Sequence, residues 1–360
     1  MKNLRCMLLL AAGLGLCSCS GGCSVQNQIL QDEVTSDSSV HSRGVRISVA
    51  NWNLQTFFDG TKDGCEYKEF QKSADWNTQT YKVRLERLCE FITTTDSDIF
   101  IFEEIENEGI IYDISNQLAG SGHNWNQKKF WNYSVFAKEE ETAIGIGILS
   151  RYPLSNVKTH SMDIRIHSVS QPTTRYILEA QASVEKNRLI ILANHWKSKS
   201  GGEQETEIWR DWQESLLAKR LSELQQDSPA PAVLICGDFN RDAADFVCNL
   251  KNQKGWQKDF GNTILRYADF GYTDFVDVNS LWFTDYGEYA SNKGSYFYDD
   301  EWERIDNIML TGTARKISFS PSAIEPWGSA QGYPIPYKIY TGQGWSDHLP
   351  VCAQIELYSD

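Results

Sequence analysis

The apolar run Val233-Leu234-Ile235 stops abruptly at Cys236-Gly237-Asp238-Phe239-Asn240, which sets a carboxylate and an amide one residue apart. In an extended segment residues i and i+2 face the same side. Asp238 and Asn240 therefore present an acidic acceptor and a neutral donor to one point, as a metal-bound phosphate requires. Gly-Asp-x-Asn is equally ordinary turn chemistry, and repetition separates the two readings. Val45 to Ala50 closes in Asn51-Trp52-Asn53-Leu54-Gln55-Thr56-Phe57, and Ile99-Phe100-Ile101-Phe102 runs directly into Glu103-Glu104-Ile105-Glu106-Asn107. Leu189 to Ala193 ends in Asn194-His195-Trp196-Lys197, Arg304-Ile305-Asp306-Asn307 opens the run Ile308 to Leu310, and Trp345-Ser346-Asp347-His348 precedes Leu349-Pro350-Val351. Strand ends in a packed sheet are where polar side chains converge on a cleft over rigid backbone, so these segments are expected to meet.

This ordered set resembles the endonuclease/exonuclease/phosphatase superfamily, the deoxyribonuclease I-like group, and within it the secreted bacterial nucleases. The match runs from Val45 to Ile355, and Ile148-Leu149-Ser150-Arg151-Tyr152-Pro153-Leu154 and Thr174-Arg175-Tyr176-Ile177-Leu178 fit it as well. The resemblance implies an α+β fold, a four-layer α/β/β/α sandwich of two mixed β-sheets. It further implies a hydrolase of phosphodiesters dependent on magnesium or manganese, with calcium as an alternative structural ion. Such chemistry needs charge neutralisation at the phosphate, an activated water and a stabilised leaving oxygen.

Residue by residue, the resemblance makes Glu104 the metal ligand, because it takes the Glu position of a Gln-Glu-Val-like motif. Glu103 stands where that motif has Gln, which leaves open which of the pair points inward. Asn53 supports the metal or phosphate, and Asp347 joins the same metal site. Asp306 matches the carboxylate that orients His348, raising the basicity of the ring and fixing its tautomer. Asp238 orients or deprotonates the attacking water and Asn240 donates to a phosphoryl oxygen; either Asp238 or His348 can be the base. His195 matches an additional histidine on the leaving-group side, although a lone histidine is more often structural. Arg175, Lys197 and Lys199 are candidate phosphate contacts, with a solvated loop the plain alternative for the lysines. Tyr296, with Trp196 and Trp345, is a candidate to stack on bases, where packing is the alternative.

The N-terminus carries separate information. Lys2 and Arg5 precede a brief apolar run, Met7 to Leu16, followed by Cys17-Ser18-Cys19, which reads as an export signal and resembles a bacterial lipoprotein box with Cys19 lipidated; Cys17 and Cys23, in poorer contexts, and a conventional signal peptide are the alternatives. The expected organisation is a leader over 1–18, a flexible tether over 19–44 and one catalytic domain over 45–360. A protein anchored to a membrane and facing the periplasm or cell exterior follows. The formal net charge of −14 falls further when a leader whose charges are Lys2 and Arg5 is removed. Such acidity disfavours avid nonspecific duplex binding, yet a cleft needs only local positive charge and bound cations. A nucleic acid substrate and a monomer are expected, and the sequence points to no particular protein partner. The cysteines show no zinc-ligand spacing.

Periodicity predicts strands over 45–50, 97–103, 144–150, 176–184, 188–194, 232–237, 304–310 and 349–356. Helices are predicted over 80–95, with Val83, Leu85, Leu88, Phe91 and Ile92 on one side, and over 204–226, with Trp209, Trp212, Leu216, Leu217, Leu221 and Leu224. Fold does not settle substrate. A nuclease is the first reading, and a phosphodiesterase or phosphatase acting on a lipid head group or inositol phosphate the main alternative. A non-catalytic surface lipoprotein is disfavoured by the complete set of candidate residues.

Overall fold

The computed structural model describes residues 44–120, 130–162, 170–227, 230–248, 263–269 and 272–358. The expected leader, Cys19 and all but the last residue of the tether lie outside the described residues. Chain order is β1 (Val45–Phe57), α1 (Lys68–Lys72), α2 (Thr78–Thr95), β2 (Ile99–Ile105), α3 (Glu108–Gly120), β3 (Tyr133–Ala137), β4 (Gly145–Ser150), β5 (Leu154–His160), β6 (Ile177–Val184) and β7 (Asn187–His195). It continues through α4 (Glu203–Gln225), β8 (Ala232–Asp238), α5 (Ala243–Cys248), β9 (Thr263–Asp269), β10 (Tyr272–Ser280), β11 (Tyr296–Tyr298), β12 (Glu301–Glu303), β13 (Asp306–Thr311), β14 (Ala314–Pro321) and β15 (Val351–Leu357).

Two strand–helix–strand units organise the molecule. β1 and β2 pair in parallel across α2, and β7 and β8 pair in parallel across α4. Each parallel pair is the centre of an otherwise antiparallel sheet: β14-β15-β1-β2-β4-β3 and β5-β6-β7-β8-β13-β10-β9. Alternation along the strands sends one set of side chains between the sheets and the other toward helices. Ile47, Val49, Ile99, Ile101, Ile146 and Ile148 from one sheet pack with Leu178, Leu189, Ile191, Leu234 and Ile308 from the other. Phe100 and Phe102 of β2 instead face α2 and α3, while Leu192, Val233 and Ile235 pack with α4. This is the expected four-layer sandwich. Truncating a central side chain such as Ile101 or Leu234 to alanine costs about 2–5 kcal/mol.

Local sequence explains the helices that join each parallel pair. Asn77 caps α2 by accepting the N–H groups of Gln79 and Thr80, and Asp96 ends it in a left-handed conformation. Glu203 and Glu205 occupy the first turn of α4, where the helix dipole favours acids. Two residues counted with the apolar faces point outward: Val83 and Trp212 are exposed. At 100° per residue both fall on the side of their helix away from its buried residues.

Candidate active site

The register of the second sheet places His195 beside Asp238, and Asp238 beside Asp306, at one end of β7, β8 and β13. Across from them, Asn53 pairs in register with Glu103 at the matching end of the first sheet. The segment that enters β15 supplies Asp347 and His348 on the same side. Convergence of the strand ends is therefore a consequence of strand register.

Asp306 is fully buried, and its Oδ2 lies 2.7 Å from His348 Nδ1. Burial works against a charged ring, but Asp306, then Asp347 and Asp238, hold the His348 imidazole protonated well above its ordinary range. Its Nε2 stands 4.0 Å from Asp238 Oδ2. On the other flank, His195 Nε2 lies 3.7 Å from Asp238 Oδ2 and 3.8 Å from Glu104 Oε1. Burial, with Arg175 and His348 nearby, pushes the His195 pKa well down and keeps this second ring neutral. Asp238 accepts from Asn53 Nδ2 at 3.0 Å and from the Asn240 N–H at 2.8 Å. Burial raises its pKa to about 7 despite the opposing pull of His348.

A bulge settles how Glu103 and Glu104 share the site. Strict alternation after Phe102 would send Glu103 between the sheets and Glu104 toward the helices. The ladder slips between Glu103 and Ile105, Glu104 takes φ 63°, and its carboxylate turns into the cleft. Glu104 Oε2 accepts the Thr56 N–H at 2.6 Å and Oε1 the Asn53 amide at 3.3 Å. Glu103 stays inside, accepting from Asn51 at 3.3 Å. Burial, with Asp306 and Asp238 close by, pushes its carboxyl well above the usual range. A carboxyl pushed toward its neutral form thus fills the position where the related motif has glutamine.

Glu104, His195, Asp238, Asn240, Asp347 and His348 line an open cleft of about 690 Å³, with Asn53, Glu103 and Asp306 behind them. Its donor set suits a divalent cation. Burial and the neighbouring Asp347 raise the Glu104 pKa, so two carboxylates share anionic charge that a cation would offset. Magnesium and manganese take such oxygen ligands and retain several waters. A second acidic group, Asp63, Glu66 and Glu106, lies outside this cleft.

Other candidate residues are placed differently. Arg175 lines the cleft, donates to the Trp196 carbonyl at 3.0 Å, and its charge opposes the rise in the Glu104 pKa. Lys199 also lines the cleft, but its ammonium is shared by Glu303 at 2.8 Å and Glu203 at 2.9 Å. Lys197 folds back onto Ser198 and Ser200 of its own loop. Nearby acids and carbonyls thus occupy both ammonium groups. Arg210 and Gln213 hold this loop through the carbonyl and N–H of Lys197. The Asn240 side chain donates to the Trp196 carbonyl at 3.2 Å. Trp196 is fully buried and Trp345 packs on Trp52 and Arg87, so both are packing residues. Tyr296 lies against the His348 ring, 4.8 Å between centroids, and stacks with exposed Tyr298. Sequence reasoning missed Tyr298, Gln55 and Tyr67, which line the cleft as well. Gln55 lies in the slipped end of β1, Tyr67 just before α1 and Tyr298 at the end of the three-residue β11, places too short or irregular to carry a periodic signal.

The endonuclease/exonuclease/phosphatase family profile matches residues 48–357, and the chain belongs to that family, whose members are metal-dependent phosphoesterases. No curated protein matches the chain significantly. Among solved structures it is similar to truncated TDP2 of Caenorhabditis elegans (14% identity, TM-score 0.52, covering 88% of this chain and 98% of that one). It is also similar to an endonuclease/exonuclease/phosphatase family protein of Bacteroides thetaiotaomicron (12% identity, TM-score 0.52, 88% and 100% covered). A mannosyl-6-phosphatase of the same organism matches at 13% identity and TM-score 0.50, with 86% and 99% covered. At these identities the likeness is one of fold.

Proposed function

We propose that the protein is a magnesium- or manganese-dependent phosphodiesterase that cleaves nucleic acid as an endonuclease. The observation that carries this reading is the pair of histidines flanking Asp238, at 3.7 Å and 4.0 Å, one neutral and one protonated. Phosphodiester cleavage needs separate groups for the attacking water and the leaving oxygen. Asp238 takes the proton from water, because Asp306 keeps His348 charged and unable to act as base at neutral pH. His348 donates through Nε2 to a phosphoryl oxygen, and His195 faces the leaving oxygen. A divalent ion held by Glu104 and Asp347, with Asn53 in support, would supply charge neutralisation at the phosphate. Arg175 contacts the phosphate beside it, and Tyr296 offers its ring to a base or sugar.

With the cleft lysines occupied and the chain acidic, a flexible single strand suits the site better than a duplex held along its backbone. The chain works as a monomer, exported and anchored through lipid on Cys19. Incubation of the full-length protein with single-stranded DNA and RNA, with magnesium and with chelator, tests the reading. Internal cleavage in magnesium is expected. Intact nucleic acids together with hydrolysis of sphingomyelin or an inositol phosphate would show a different phosphoester substrate.

A further inference from the structure

Arg84 projects from α2 beneath the end of β1, where it is 4% exposed. Its hydrogen-bond partners are main-chain carbonyls: Nη1 donates to Thr56 O at 2.9 Å, and Nη2 to Leu54 O at 2.6 Å and Gln55 O at 2.7 Å. The guanidinium also lies over the rings of Tyr337 and Phe57, 3.7 Å and 4.7 Å from their centroids. The three carbonyls converge because Gln55 and Thr56 adopt left-handed backbone, φ 51° and 55°, where the β1–β2 ladder slips between Asn53 and Phe57. Gln55 O also accepts the Thr56 hydroxyl at 2.7 Å and Thr56 O the Phe58 N–H at 3.1 Å, so the guanidinium adds a second donor to these two and serves Leu54 O, since carbonyls off the ladder need donors. A planar fork with five N–H groups can serve all three, whereas an ammonium cannot hold that geometry while stacking on a ring.

The segment held in this way is the one that touches the metal carboxylates. The Thr56 N–H bonds Glu104 Oε2 at 2.6 Å. Gln55 Oε1 accepts the N–H of Asp347 at 3.1 Å and of Tyr337 at 2.6 Å. We propose that Arg84 is a positioning residue for the metal site: its guanidinium fixes the left-handed turn at Gln55 and Thr56, and that turn sets Glu104 and Asp347 for a divalent cation. The inference rests on the reading of these two carboxylates as the cation's ligands.

Calorimetric titration of the full-length protein with Mn²⁺ alone tests it, with near-UV circular dichroism and thermal unfolding of the metal-free protein as controls. Arg84→Lys should retain the native near-UV spectrum yet bind Mn²⁺ about 10- to 100-fold more weakly, the range in which residues behind metal ligands act. Its kcat should fall more than its KM rises. A variant that loses thermal stability but keeps wild-type Mn²⁺ affinity would overturn the proposal. If Arg84→Lys does not fold, Gln55→Leu removes the acceptor from Asp347 and Tyr337 and carries the same titration. About tenfold weaker binding there supports the relay, and an unchanged Kd overturns it. Wild-type protein that takes up no Mn²⁺ contradicts the metal-site reading itself, an outcome distinct from equal binding by wild type and variant.

Discussion

Replacing Asp306 with asparagine separates a working dyad from two residues that merely touch. The exchange preserves volume in a fully buried position and converts a charged bond of 2.7 Å to His348 Nδ1 into a neutral one. A hydrogen bond to a charged group contributes about 1.5–3 kcal/mol, which at 1.36 kcal/mol per decade is roughly a 10- to 150-fold loss in kcat/KM. If the asparagine amide donates and fixes the wrong tautomer, the loss approaches about 10⁴-fold. The pH profile carries the sign. Wild-type activity should rise as Asp238 ionises, with an acid limb no higher than about 7, since a bound cation pulls that carboxyl down. It should fall only at high pH, where His348 finally loses its proton. Without Asp306, burial wins, the His348 pKa drops, and the alkaline limb moves to lower pH. The assay is steady-state hydrolysis of a chromogenic phosphodiester across the pH range by Asp306→Asn, His348→Ala and the double variant. The double variant should lose little more than His348→Ala, because residues acting as a unit are non-additive. Multiplicative losses, or an alkaline limb that does not move, would refute the dyad.

Two further outcomes are expected. Burial would raise the Glu179 pKa, but hydrogen bonds from His160 and Arg220 pull it down to about 2. Its contribution to stability is therefore present above about pH 4.5 and lost as pH falls toward 2; Glu179→Gln should cost up to about 3 kcal/mol in urea unfolding at pH 7, with the difference shrinking in acid. Metabolic labelling with a fatty acid should mark the wild type and fail in Cys19→Ser; labelling that survives there but disappears in Cys17→Ser or Cys23→Ser would move the cleavage site.

The central strands were legible because they are apolar runs closed by polar side chains, while the sandwich they build was expected from the family resemblance. Runs at 232–237 and 188–194 correspond to β8 and β7, and the predicted helices to α2 and α4. What escaped is physically consistent. β5 exposes most of its side chains and β14 half of its own, so neither shows a clean apolar period. α3, with Ile110, Ile111, Ile114 and Leu118 buried, directly follows the polar end of β2, where the residues read as site rather than helix. In the site, Asn53, Glu104, Asp238, Asp306, Asp347, His195 and His348 converge as residue type and order suggested. The roles of Glu103 and Glu104 depended on a bulge, and the lysines on acids remote in sequence, such as Glu303. The guanidinium under β1 was invisible because its partners are backbone carbonyls, which leave no mark on residue type.

The most direct measurement of the central claim is phosphodiester hydrolysis by wild type, Glu104→Gln and Asp238→Asn, in magnesium, after chelation and after magnesium is restored. Wild-type activity should vanish with chelator and return with the ion. Both variants should fall by several orders of magnitude, and Glu104→Gln should lose no thermal stability in the metal-free state, since burial already raises that carboxyl's pKa. Activity that withstands chelation, or that survives in either variant, would contradict the account.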